Sequence, residues 1–246
     1  MTSSFHQSYV LSGDNHFTSL ARERRARIHR RYRAGPDVEA ALLNAVVEVG
    51  QRDVLEVGTE TGALVARIRT HVGARVVASG SSAALTADAC ARGVPAVLAD
   101  VGALPFDEGT VGCVVADRAL YHGHDVANGL REIRRVLRAD GALIAVARSG
   151  ARNGNELDEL LDLDGRSRVD ALNAENGQVV LSDHFQRVDE RNLDYVLDFP
   201  DGKAAAAYAA TLPGRTELAH RIAEIEHSIK LTFGMTMFVA EGPRAA

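Results

Sequence analysis

Short runs of Val, Ala and Leu recur through the middle of the chain: DVLEVG (53–58), ARVVAS (74–79), AVLAD (96–100), VGCVVAD (111–117) and ALIAVAR (142–148). Because these runs are nearly continuous rather than strictly alternating, they predict strands covered on both faces. Between them, GALVARIRTHV (62–72), SAALTADACARG (82–93) and VANGLREIRRVLRADG (126–141) carry the spacing of helices. The last sets Leu130, Ile133, Val136 and Leu137 on one face and is expected to stop at Gly141. Strands alternating with helices predict right-handed βαβ units, hence a mostly parallel sheet with helices on both faces.

After Arg148 the pattern changes. It predicts helices over 154–163 and near 174–184, a polar strand over 186–199, helices near 202–210 and 215–228, and a final strand LTFGMTMFVAEG (231–242). Two long late strands point to an antiparallel addition at the sheet edge. Ahead of the first strand, Phe17, Ala21, Ile28 and Tyr32 form one narrow helical stripe. Seven arginines and one glutamate lie between Thr18 and Arg33. This helix is expected to dock by its stripe and point its arginines outward, either as a solvated face or as a lid for an acidic substrate.

Composition narrows the picture. With 246 residues and 46% hydrophobic content, the chain can bury a core of single-domain size. The net charge is −5, and the arginine helix contributes +6 locally, which leaves about −11 on the remainder. Such a balance argues against a surface built to cover nucleic acid, and only the arginine helix would suit RNA. The polar start lacks the layout of a signal peptide, and no apolar run approaches the length of a membrane span, so a cytoplasmic location is expected. Cys90 and Cys113 stand apart, form no CxxC pair, and are expected to be small buried residues. HGH (122–124) has no third ligand at metal-site spacing, so no metal is expected.

In an open parallel sheet, ligands bind beyond the carboxyl ends of the strands, so the residues just after each run matter most. The first run is followed by Gly58, Thr59, Glu60, Thr61 and Gly62, with Glu56 inside it. Gly58 permits a sharp turn, Gly62 close helix packing, and the helix start offers amide donors to an anionic group. From about residue 38 to 148 the chain resembles the class I S-adenosylmethionine-dependent methyltransferases, particularly the type 11 group. The resemblance rests on VLEVGTETG, on AVLADVGALPFDEG (96–109), on VVADRALYHGHD (114–125) and on LREIRRVLRADGALIAV (130–146).

The resemblance implies a Rossmann-like α/β fold, S-adenosylmethionine as cosubstrate and a small-molecule acceptor. It implies that Glu56, Gly58, Thr59, Glu60 and Gly62 frame the methionine end of the cosubstrate. Asp100 and Val101 would meet the adenine, and Asp117 would face the reacting centre, with His122 as a candidate proton acceptor. Beyond the stretch that carries the resemblance, the expected organisation is a basic arm and lid helix over residues 1–36 and a methyltransferase-like domain over 37–246, with substrate-shaping elements over 151–230.

Two positions depart from the pattern. Glu60 replaces the commoner glycine. Aligning Leu85 with the family's helix leucine puts Ser79 where a carboxylate usually holds both ribose hydroxyls. Losing those charge-assisted bonds costs about 1.5–3 kcal/mol, or roughly ten- to a hundredfold in affinity. These departures leave open a repurposed cyclase, lyase or isomerase, or a non-catalytic relative.

Overall fold

In the computed structural model of the chain, residues 15–59, 62–120, 125–161, 163, 172–212 and 214–244 are described. The chain opens with helix α1 (Asn15–Tyr32) and a two-residue strand β1 (Arg33–Ala34). Then come α2 (Val38–Val49), β2 (Asp53–Val57), α3 (Ala63–Val72), β3 (Arg75–Gly80), α4 (Ala83–Ala91), β4 (Ala96–Leu98), β5 (Val111–Asp117), α5 (Val126–Val136) and β6 (Leu137–Asn153). The later part holds α6 (Asn155–Leu160), α7 (Gly177–Ser182), β7 (Phe185–Asn192), β8 (Tyr195–Phe199), α8 (Gly202–Ala209), α9 (His220–Ala223) and β9 (Ile229–Pro243).

The strands join in one sheet in the order β1-β8-β9-β6-β5-β2-β3-β4, with β7 also paired to β9. From β6 to β4 every pairing is parallel, and β9 is antiparallel to β6, β7 and β8. The chain therefore has a Rossmann-like α/β fold with an antiparallel addition, as the apolar runs predict. Alternation along the central strands divides the core between the two faces of the sheet. Val54, Cys113, Val115, Ile144 and Val146 pack with Leu42, Val46, Val65 and Ile68 of α2 and α3. Leu55, Val57, Val114, Ala116 and Leu143 pack with Leu130, Ile133 and Val136 of α5. A third cluster joins β8, β9, α6, α8 and α9, and Ile28 and Tyr32 of α1 lie against it.

Several elements depart from the sequence pattern. Helix α5 ends at Val136, because Leu137 enters the sheet opposite Val111 and its side chain joins the core. Gly141 instead serves a tight approach, since a Cβ there would lie 2.9 Å from the Arg138 carbonyl. The strand expected over 186–199 is two strands: at the break, the Leu193 amide donates to the Met235 carbonyl and the Met235 amide to Asp194. The helix expected over 215–228 shortens to four residues, α9. Its neighbourhood is shaped by the start of α8, where the Gly202 amide donates to the Ile225 carbonyl and a Cβ would lie 1.8 Å from the Ile222 carbonyl. Cys113 is buried as expected, and burial pushes its thiol up to about 12, whereas Cys90 is exposed on the outer side of α4. Among the described residues no helix is long and apolar enough to cross a membrane.

Candidate active site

The loop after β2 is fixed by short-range bonds. The Thr59 amide donates to the Ser79 carbonyl at 3.0 Å, and the Thr59 hydroxyl accepts from the Gly62 amide at 3.2 Å. Gly58 and Gly62 both adopt left-handed backbone (φ +73° and +69°), which only glycine takes without strain. A Cβ on Gly62 would lie 2.7 Å from the Ala89 Cα, so the glycine also lets α3 pack against α4. Gly62 supplies no side-chain cap to α3, a ten-residue helix whose first turn faces the carboxyl edge of the sheet.

Four sequence candidates end up on consecutive strands at that edge. In register, Glu56 lies opposite Val115 of β5 and Ala78 of β3, with Asp117 two residues beyond Val115. Gly80 lies opposite Leu98, and Asp100 follows two residues later. At the usual strand spacing, the edge from Asp117 to Asp100 spans about 14 Å, enough for an extended nucleoside with an amino-acid arm. Glu56 is only 5% exposed. Asp100 is exposed and accepts from the Gly102 amide at 2.8 Å, and half-buried Val101 packs against the α5 side of the core. Glu60 and His122 lie outside the described residues.

The pleat separates Ser79 from the others. Val54 and Glu56, Val115 and Asp117, and Val76 and Ala78 point toward the α2–α3 layer. Ser79 therefore points the other way, with Val57 and Leu55; it is 1% exposed and its hydroxyl donates to the Glu56 carbonyl at 3.3 Å. The residue on the Glu56 face at the end of β3 is Gly80, whose Cβ direction opens toward Thr59 at 3.4 Å. The edge position facing the cleft is bare backbone rather than a serine hydroxyl.

At the end of β5, Arg118 is the one non-glycine residue with positive φ (+57°) among the described residues. Such a conformation costs of order 1–3 kcal/mol and persists only where neighbours over-determine it. Here the Arg118 amide donates to the Val146 carbonyl, and its guanidinium grips both oxygens of Asp117, at 2.9 and 2.8 Å. Asp117 is thus an orienting partner for a cation at the edge.

The sequence pattern did not reveal what lies beside this pair. Arg25, Ile28, His29 and Tyr32 occupy one stripe of α1, so the docked face carries two nitrogen bases as well as apolar groups. Arg25 is not turned to solvent with Arg24 and Arg31; it donates to the carbonyl and hydroxyl of Thr211 at the end of α8. The His29 ring meets Tyr208 of α8 at 5.5 Å, Tyr195 of β8 at 5.8 Å and Phe233 of β9 at 6.0 Å between centroids. Tyr195 stacks on Phe233 at 5.0 Å. Burial, reinforced by Arg118, Arg148, Arg25 and Arg33, lowers the His29 pKa to about 4, so the ring is neutral. Burial raises both tyrosines, Tyr208 to about 12, which keeps them protonated donors. The i, i+4 pair of Arg25 and His29 within the apolar stripe was the available sequence signal.

A doubly wound sheet with a glycine turn after its central strand and acidic positions along the carboxyl edge defines the class I methyltransferase fold. Residues 55–145, from β2 into β6, match the family described as "Methyltransferase domain". An 82-residue stretch is 38% identical to the demethylmenaquinone methyltransferase of Mycolicibacterium gilvum (strain PYR-GCK), covering 33% of this chain and 36% of that protein. The chain thus matches about a third of that relative's length. The [4+2]-cyclase SpnF is similar in structure at a TM-score of 0.58, with 19% identity over 83% of this chain and 82% of that one. The geranyl diphosphate C-methyltransferase of Streptomyces coelicolor A3(2), solved with Mg2+, geranyl diphosphate and S-adenosyl-L-homocysteine, aligns at 0.56, with 17% identity over 96% of this chain and 89% of that one. At these identities the two structures speak for the fold alone.

Proposed function

We propose that this chain is an S-adenosylmethionine-dependent methyltransferase acting on a small molecule. The observation that carries the reading is the β2–turn–α3 unit, with Gly58 and Gly62 in left-handed backbone, at the head of four consecutive parallel strands. That cradle leaves no side chain at either glycine, which fits the backbone approach of an amino-acid carboxylate. When bound, S-adenosylmethionine supplies an electrophilic methyl on a sulfonium.

In this reading Glu56 and the glycine turn hold the methionine end, and Asp100 and Val101 bound the adenine. Gly80 leaves the ribose to backbone groups and to whatever Glu60 contributes. Asp117 orients Arg118 at the acceptor side, and His122 remains the candidate for removing a proton from the acceptor. Residues 1–36 roof the acceptor side and 151–230 shape it, with 37–246 as the methyltransferase-like domain. The substrate is an acidic small molecule. Alignment of the nucleophile with the methyl is the main service the protein renders.

The test is calorimetric titration with S-adenosylmethionine and S-adenosylhomocysteine. One-site binding of both is expected, and absence of binding by either would refute the reading.

A further inference from the structure

The turn after β4 is built by its own short bonds. The Gly102 amide donates to Asp100 Oδ1 at 2.8 Å, and the Ala103 amide donates to the Asp100 carbonyl at 3.0 Å. The other Asp100 carboxylate oxygen has no partner among the described residues, so the bond to Gly102 sets where that acceptor points. Gly102 is held in turn from α5: Asn128 Nδ2 donates to the Gly102 carbonyl at 3.1 Å. Arg131 donates to Asn128 Oδ1 at 2.8 Å, which fixes the carboxamide with its amine toward Gly102. The Asn128 backbone amide donates to Asp125, the cap of α5, at 2.8 Å, so the residue sits in the first turn of a capped helix.

Both sides of this contact are cut back to allow it. A Cβ on Gly102 would lie 2.4 Å from Asn128 Nδ2, although the Gly102 backbone is not left-handed, so space rather than conformation demands glycine there. A Cβ on Gly129 would lie 3.3 Å from Val101 Cγ1. Glycine inside a helix weakens it, and here it lets the start of α5 approach Val101. Further along α5, Glu132 accepts from the Leu104 amide at 3.0 Å, and Arg135 donates to the carbonyls of Leu104 at 3.0 Å and Phe106 at 2.8 Å. A spacing of four and then three residues puts Asn128, Glu132 and Arg135 on one stripe. Glu132 and Arg135 anchor the segment from Leu104 onward, whereas Asn128 reaches the turn at the carboxyl edge.

We propose that Asn128 is a positioning residue of the donor site: through Gly102 it aims the Asp100 carboxylate at the exocyclic amine of the purine and so sets a preference for adenine. This inference rests on the donor reading, in which Asp100 and Val101 bound the adenine. A carboxylate only accepts hydrogen bonds, so one of fixed direction favours an amine and disfavours a carbonyl at that point of the ring. Without the Asn128 bond the Gly102 carbonyl turns to water, and the acceptor stays present but loses its fixed direction.

Calorimetric titration of the full chain with S-adenosylhomocysteine and with S-inosylhomocysteine, which carries a ring carbonyl in place of the amine, tests it. The parent should bind the adenine ligand about tenfold or more tighter than the inosine one. Asn128→Ala should shrink that ratio by about threefold or more, chiefly by weakening S-adenosylhomocysteine. Asn128→Asp keeps the shape of the side chain and places an acid in the first helical turn, where the helix dipole favours it; it secures a folded variant and should show the same loss. Gly102→Ala, whose Cβ displaces the carboxamide, should also shrink the ratio, and should add nothing in the Asn128→Ala background. A contact that served the fold alone would weaken both ligands alike. A parent without the preference, variants that keep it, or variants that weaken both ligands equally would overturn the inference, and the donor reading would stand as long as the parent binds S-adenosylhomocysteine. A parent that binds neither ligand would overturn both.

Discussion

A single step along β3 decides what this chain can offer a ribose. Ser79 and Gly80 are neighbours, but the two-residue period of a strand sends them to opposite faces. Ser79→Asp would place a carboxylate at a 1% exposed position beside Leu55 and Val57, at a cost of about 3 kcal/mol or more, visible as a lower urea midpoint. At Gly80, also buried, a Cβ would touch Thr59 at ordinary contact distance, 3.4 Å, and the backbone is not left-handed. Gly80→Asp, facing the cleft, should lower the urea midpoint less than Ser79→Asp does and tighten S-adenosylhomocysteine about tenfold by calorimetry. An unchanged affinity in Gly80→Asp would show that the ribose is not held at this strand end. Motif alignment alone could not separate the two residues, because a shift of one keeps a small polar stretch in place; the pleat separates them. Glu56, Asp100 and Asp117 were readable because each stands at or just beyond the end of a clean apolar run.

At the scale of elements, helix and strand spacing recovered α3 to α5 and the five parallel strands, since each buries an apolar stripe or face, whereas α2 was not read from the sequence. Ile133 illustrates the dependence: it is fully buried between α5 and the sheet, and Ile133→Ala should cost about 2–5 kcal/mol in chemical denaturation. A loss below 1 kcal/mol would mean that α5 contributes little to the core. Helix ends were legible only where no tertiary contact intervened, so α5 ran on in the sequence reading until the sheet claimed Leu137. The inner face of α1 was missed for a different reason. Arginine and histidine within an apolar stripe read as solvent-facing, yet Arg25 finds the Thr211 carbonyl and His29 an aromatic cage.

That cage makes α1 sensitive to acid. His29, faced by Tyr195 and Tyr208 and by Arg25, Arg33, Arg118 and Arg148, holds a folded pKa of about 4, against 6.5 in the unfolded chain. The fold favours the neutral ring, so its contribution is whole above about pH 6.5 and is lost as pH falls toward 4, by up to about 3 kcal/mol. His29→Phe should therefore lose less stability than the parent between pH 6.5 and 4 in thermal melts. Parallel pH profiles of the two proteins would contradict the assignment.

On the scale of the whole molecule, the sheet order brings the candidate residues of β5, β2, β3 and β4 to one edge, and the antiparallel strands carry the aromatic wall beside them. The charge asymmetry visible in the sequence has a structural use in this arrangement, because part of the basic helix turns inward toward that edge instead of coating the surface. The central claim is that this edge is a donor site. Hydrogen exchange with and without S-adenosylhomocysteine tests it most directly, since amide protection maps where the ligand sits. The account predicts slowed exchange confined to the Gly58–Val65 turn and helix start, the Gly80–Ser82 turn and the Asp100–Gly102 turn, with β9 unchanged. Protection elsewhere, or none at saturating ligand, would contradict it.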